Sequence, residues 1–205
     1  MSKDNVDDKD SDLKGVLVQV AHDKEDLLNE LCSIIKVLGM HVVGKSRTSV
    51  ELLKNISMER PNLILTGMHF EDGNAVNSLL AVAEDEPLPA IIIAEKADLK
   101  DVEKAMVDHV MAYLVAPVDQ HDLRSTCYLV MRRFRQFEEL RNENDVLKEA
   151  LLTRKKLERA KGIMMAKYEI TEEDAYLQIR DSATQQRIKI ADVADKIIKE
   201  TTEEL

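Results

Sequence analysis

The 205-residue sequence predicts an α/β domain with a parallel sheet, followed by a long helix and then a small all-helical domain. Three observations predict this order. Strand-like apolar runs alternate with helix-period segments as far as about Asp119. From His121 to about Tyr168 there is no proline and one glycine, Gly162. Beyond Tyr168 every apolar repeat has helical spacing.

Residues 1–14 (MSKDNVDDKDSDLK) are acidic and nearly free of apolar side chains, so they are expected to form a disordered tail. Strand-like runs then occur at Val16–Val20, His41–Val43, Asn62–Leu65, Ala90–Ile93 and Ala112–Val115. Helix-period segments lie between them at Glu25–Leu38, Ser49–Met58, Ala75–Ala83 and Leu99–Val107. Gly39 stands where a left-handed cap residue closes the first helix. The run Ile91-Ile92-Ile93 lacks inside–outside alternation, as expected for a strand covered on both faces. Repeated strand–helix alternation implies right-handed crossovers and a parallel sheet over residues 15–121.

Residues 122–150 read as a linker helix. Phe137, Leu140, Asn144, Leu147 and Leu151 are spaced by three, four, three and four, the a and d positions of a short coiled coil. An Asn at an a site lowers stability but favours a parallel, in-register homodimer. The alternative is one long helix packing on its own α/β domain with Asn144 exposed. Residues 151–205 read as three helices, the first continuing to about Tyr168. Thr171 is an N-cap for the second, with Asp174 at the capping-box position. Ile190, Val193, Ala194, Ile197 and Ile198 form the apolar stripe of the third.

Composition excludes several function classes. No apolar run approaches the ~18 residues needed to span a bilayer, and the amino terminus lacks a signal-peptide pattern, so a cytoplasmic protein without membrane contact is expected. Cys32 and Cys127 are far apart in sequence, which argues against a disulfide framework. Three Phe and no Trp argue against a single-strand binder built on aromatic platforms. His41, His109 and His121 show no metal-ligand spacing, and no phosphate loop or nucleophile motif stands out. Neither a cofactor nor an enzymatic activity is expected. The net charge of −10 is uneven: residues 122–200 carry +2 and the remainder −12.

Ligands of such α/β sheets bind at the carboxyl ends of the strands, where Asp23, Gly67, Ala94 and Ala116 should gather. Here the chain resembles the response-regulator receiver family, a flavodoxin-like (βα)5 fold. The resemblance rests on Val16-Leu17-Val18 through Asp23, Pro61 through Gly67, Asp72-Gly73, and Tyr113 through Pro117. It implies a carboxylate nucleophile at Gly67, a hydroxyl at Ala94, a lysine at Ala116 and an acidic pair at His22 and Asp23. Phosphoryl transfer needs all of these: a nucleophile, carboxylates to hold Mg²⁺, and donors for the transferred charge. One carboxylate remains, so a pseudo-receiver that neither forms an acyl phosphate nor holds Mg²⁺ tightly is expected.

The carboxyl-terminal part keeps its functional pattern. Arg154, Lys155, Lys156, Arg159 and Lys161 put five cations within eight positions. Lys155, Arg159 and Gly162 share a helix side opposite the apolar face formed by Leu157, Ala160 and Met164. A glycine inside a helix costs ~1 kcal/mol relative to Ala. Either close helix packing or close approach of a ligand backbone would explain it. Tyr176, Arg180, Thr184 and Arg187 form a stripe on the second helix, beside core-facing Ala175, Ile179 and Ala183. Cation, hydroxyl and aromatic groups together suit phosphate contact and stacking on an unpaired base, and equally an ordinary solvated face.

The ordered run Arg154, Ala160 through Met164, Ile170 through Tyr176, Ile179-Arg180, Ala183, Arg187 and Ile190 through Ala194 resembles the ANTAR domain of bacterial transcription antiterminators. The resemblance implies RNA as partner: paired hairpins in nascent leader transcripts, held by a dimer so that a terminator hairpin cannot form. It implies contacts from Arg154, Ala160, Lys161, Gly162, Tyr176, Arg180, Thr184 and Arg187. Members of the amidase-operon-antiterminator type have a similarly degenerate receiver and are silenced by a ligand-sensing protein. Control through a regulatory or sensor protein on the pseudo-receiver, or through constitutive dimerisation, is expected by analogy. A protein-interaction adaptor that has lost RNA binding is the alternative, and a DNA-binding regulator a third.

Overall fold

The computed structural model describes residues 13–75, 77, 79, 87–96, 100, 103 and 110–203. It divides into two compact units, residues 1–137 and 138–205. The first contains strands β1 (Leu17–Ala21), β2 (His41–Ser46), β3 (Leu63–Gly67), β6 (Ala90–Ala94) and β7 (Val110–Val115) in one sheet of order β2-β1-β3-β6-β7. All four pairings are parallel, as the strand–helix alternation requires. The sheet order, with β1 inside the sheet, puts the carboxyl ends of β1, β3 and β6 side by side.

Helix α1 (Glu25–Val37) buries Leu28, Leu31, Cys32 and Ile35 at the predicted spacing. Leu38 ends it, and Gly39 follows with φ +76°. Helix α2 (Ser49–Met58) is capped at Thr48, whose side chain accepts the Glu51 N–H. Strands β3 and β6 are buried at every residue. One core contains Val18, Val20, Leu63, Leu65, Ile91 and Ile93, and another contains Ala21, Ile64, Ala90, Leu52 and Ile56. Burial on both faces explains why the β6 sequence never alternates.

Three boundaries differ from expectation. Leu13 is buried in the first core, because the segment before β1 has one side chain apolar enough to insert there. Residues 1–12, together with most of the segments expected to be helical at Ala75–Ala83 and Leu99–Val107, lie outside the described residues. A two-residue hairpin, β4 (His69–Phe70) with β5 (Gly73–Asn74), follows β3 and was invisible to periodicity. Finally, the long helix α3 runs Gln120–Tyr168, and its first turns belong to the first unit. Leu123, Cys127 and Val130 are buried in the first core, so the helix leaves that unit only near Phe137.

The second unit consists of the rest of α3 with α4 (Glu172–Gln186) and α5 (Ile190–Glu203). Thr171 caps α4 by accepting the Asp174 N–H. Arg187 closes it in the left-handed region, φ 55°, with Ile188 N–H donating to the Ala183 carbonyl at 3.1 Å. The core of this unit is Ala160, Met164, Ala175, Ile179, Ala183, Val193 and Ala194, with Leu157, Ile190, Ile197 and Ile198 around them. Four of these are alanines, whose small side chains let the helices approach closely.

Candidate functional site

At the carboxyl edge of the sheet, the positions that the receiver resemblance assigns to a nucleophile, a hydroxyl and a lysine hold Gly67, Ala94 and Ala116. Gly67 ends β3, Ala94 ends β6, and Ala116, the residue after β7, donates its N–H to the Ala94 carbonyl at 2.7 Å. His22 follows β1 and is 3% exposed. Its Nδ1 lies 3.0 Å from the Lys24 N–H and 2.9 Å from Asp23 Oδ1. The Lys24 N–H donates both to Nδ1 and to Asp23 Oδ1, each at 3.0 Å. Burial pushes the imidazole below its ordinary value, outweighing the opposing pull of Asp23 and Glu95.

Neighbouring charges are spent on structure. Lys24 Nζ pairs with Glu95 Oε2 at 2.5 Å, which holds the Glu95 carboxyl below its usual range. Asp72 accepts from the Ser49 N–H at 2.9 Å, the Ser49 hydroxyl at 2.8 Å and the Val50 N–H at 3.2 Å. Those bonds depress its pKa and secure the start of α2. Among the described residues no three His, Cys, Asp or Glu side chains are grouped to hold a metal ion. Thr66 is buried with its hydroxyl on the Gly67 carbonyl, and His69 is exposed.

In the helical unit the eight residues singled out from sequence separate into three groups. Arg154, Gly162, Thr184 and Arg187 are exposed, and Tyr176 is 40% exposed. A Cβ on Gly162 would meet nothing within 4 Å, so no packing among the described residues requires the glycine. Arg180 is exposed but its guanidinium grips Asp181, with Nη2 2.7 Å and Nε 3.0 Å from Oδ1. Thr184 turns its hydroxyl onto the Arg180 carbonyl at 2.9 Å.

Two of the eight are placed differently from expectation. Ala160 is fully buried in the helical core, so its side chain is unavailable as a contact; its place on the apolar face with Leu157 and Met164 decides this. Lys161 is 8% exposed, and its ammonium lies between Glu158 at 2.8 Å and Glu172 at 2.6 Å. Both carboxylates raise its pKa, and the pair with Glu172 ties α3 to the start of α4. Lys156 likewise pairs with Asp195, tying α3 to α5, a clamp that spacing along one helix could not reveal. Among the described residues no ion pair engages Arg154, Lys155, Arg159 or Arg187 within 4.0 Å.

The heptad positions diverge at the unit boundary. Phe137 is half-buried and stacks on Phe134 with ring centroids 6.2 Å apart, inside the first unit. Leu140, Leu147 and Leu151 are 66%, 62% and 54% exposed, and Asn144 is exposed between them. Val146 and Leu152, outside the a and d pattern, are also exposed.

Comparison with known proteins agrees with this architecture. The ANTAR domain family matches residues 145–198. The transcriptional regulatory protein PdtaR of Mycobacterium tuberculosis is 28% identical over 182 residues, covering 89% of each chain. The fold of the receiver domain from Clostridium thermocellum is similar at a TM-score of 0.54 and 20% identity, covering 60% of this chain and 98% of that one. A CheY-like receiver domain from Methanospirillum hungatei gives a TM-score of 0.55 with the same identity and coverage. No helix of the described residues is long and apolar enough to cross a membrane. The chain joins a receiver-like α/β domain to a carboxyl-terminal segment that matches the ANTAR family, with one long helix running from the first into the second.

Proposed function

We propose that this protein regulates transcription by antitermination, its ANTAR domain holding paired hairpins of nascent leader RNA without phosphorylation of the receiver-like domain. The observation that carries the reading is the ANTAR match over residues 145–198, on whose surface Arg154 and Arg187 have no ion-pair partner among the described residues. Gly162 adds an exposed helical surface without side-chain bulk, open to close approach by a ribose–phosphate backbone. Tyr176 offers a half-exposed ring for an unpaired loop base. Arg180 and Thr184 complete the α4 stripe. Lys161 supports it by fixing α4 against α3.

The protein acts as a homodimer in this reading. Leu140, Leu147 and Leu151 expose one apolar seam with Asn144 inside it, the pattern of a short parallel coiled coil. Two ANTAR domains on one coil would each take a hairpin, and linkage makes the second contact nearly intramolecular. The functional segments are then the pseudo-receiver through about residue 121, the linker helix 122–150, and the RNA-binding domain 151–205. A regulatory or sensor protein bound to the pseudo-receiver sets activity in place of an acyl phosphate. The protein works in the cytoplasm, with nascent transcript.

A second reading draws on the internal pairing of Lys161 and Arg180, which removes two cations from the nucleic-acid face. It is a dimeric adaptor that no longer binds RNA. Titration of the full-length protein with a two-hairpin RNA, the same RNA with scrambled loops, and duplex DNA separates the readings. Loop-dependent binding supports antitermination, preference for duplex DNA indicates a DNA-binding regulator, and absence of both leaves the adaptor.

A further inference from the structure

Two departures from receiver chemistry, at His22 and Gly67, lie against each other. A Cβ built on Gly67 would sit 3.0 Å from His22 Cδ2, 3.2 Å from Nε2 and 3.4 Å from Cγ. The imidazole therefore rests directly on the Gly67 backbone, in space that any side chain at 67 would enter first. His22 is held there by its backbone N–H, which donates to the Ser46 carbonyl at 3.0 Å, and by its ring Nδ1, which accepts the Lys24 backbone N–H at 3.0 Å. The Lys24–Glu95 ion pair joins the turn after β1 to the residue after β6, the two strands that flank β3, at whose end Gly67 stands.

We infer that His22 is the specificity-determining residue of this pocket: its ring fills the volume that a carboxylate and its cation would need, and glycine at 67 is what leaves room for the ring. Losing the nucleophile and losing one of the acidic pair are then a single packing event. The ring is 3% exposed and burial disfavours its protonated form, and an imidazole supplies no negative charge to a divalent cation. A side chain restored at 67 alone puts its Cβ 3.0 Å from the ring, so the ring must give by a few tenths of an ångström before anything beyond that Cβ is accommodated. This rests on the pseudo-receiver half of the proposed function and is independent of RNA binding.

A double-mutant cycle on the full-length protein, read from melting midpoints, tests the packing. Gly67→Ala should lower the midpoint by several degrees while His22 is present. In a His22→Ala background the same change should be neutral or stabilising, because an alanine restricts the unfolded chain more than a glycine does. Additive effects of the two changes would overturn the inference, since a histidine serving only as a turn residue would not sense position 67. Mg²⁺ alone then probes the chemistry. It should raise the midpoint of His22→Asp/Gly67→Asp, which places three carboxylates with Asp23, and leave Gly67→Asp unmoved. An equal Mg²⁺ response from Gly67→Asp alone would also overturn it. Phosphoryl gain by the unaltered protein would remove the pseudo-receiver reading itself, whereas additivity removes only the role of His22.

Discussion

At the residue scale, the decisive feature is which polar side chains have already found partners. Gly162 keeps open space above it, so Gly162→Ala should stabilise the helical unit by about 1 kcal/mol through helix propensity. The same substitution should weaken hairpin binding, a split between thermal melting and RNA titration that a packing glycine would not show. Arg180 must loosen its grip on Asp181 to meet a phosphate. Arg180→Ala should reduce hairpin affinity on the order of ten- to a hundredfold and flatten the salt dependence of binding. His22 supplies a pH dependence of known sign. Its ordinary value is 6.5 and burial lowers it in the fold, so the unfolded chain takes the proton first as pH falls. The stability held by the neutral ring is complete above pH 6.5 and is lost as pH falls below that value. Melting midpoints measured from pH 7.5 down to 5 should fall in wild type and fall less steeply in His22→Ala; equal slopes would show that the ring titrates alike in both states.

At the scale of the element, α3 serves two cores in succession. Its first turns bury Leu123, Cys127 and Val130 in the α/β unit, and its last turns bury Ala160 and Met164 in the helical one. The stretch between them exposes Leu140, Leu147 and Leu151, apolar surface that a single chain leaves in water. Leu147→Asp should therefore shift sedimentation equilibrium from dimer towards monomer while leaving both cores folded. Asn144→Leu should strengthen self-association and relax its register, visible as species larger than a dimer. An unchanged sedimentation profile in Leu147→Asp would rule out the seam as the dimer contact. In α4 the local chemistry is self-contained. Thr171 begins the helix and Arg187 ends it, which places Tyr176, Arg180 and Thr184 on successive turns of one face.

At the scale of the whole molecule, an acidic α/β half with glycine at position 67 is joined to a helical half that keeps cations on its surface. Incubation with acetyl phosphate followed by intact-mass measurement should show no added phosphoryl group. Stoichiometric addition to an Asp would contradict the reading of Gly67, Ala94 and Ala116 as a silent site. Much of this organisation was legible in the chain. Strand–helix alternation is set by local periodicity, so the elements around β1, α1, β2, α2, β3 and β6 agree with expectation within a few residues. Thr171 and Gly39 act through neighbouring backbone, and their roles are likewise readable from sequence.

What the sequence determined by itself was the order of elements, the apolar faces, the absence of a side chain at Gly67 and the run that matches the ANTAR family, because each depends on residues close together in the chain or on a residue's own chemistry. Only the tertiary structure decided where those residues end up relative to distant ones. It buried Ala160 and paired Lys161 with Glu172 from the next helix, although both lie in the most recognisable run of the sequence. It set Phe137 on Phe134 and carried the first core into α3 beyond the expected boundary. It also laid the ring of His22 against Gly67, 45 positions away, turning two separate losses into one filled volume. Periodicity fixes which way a side chain faces on its own element; close packing in three dimensions decides what it meets there.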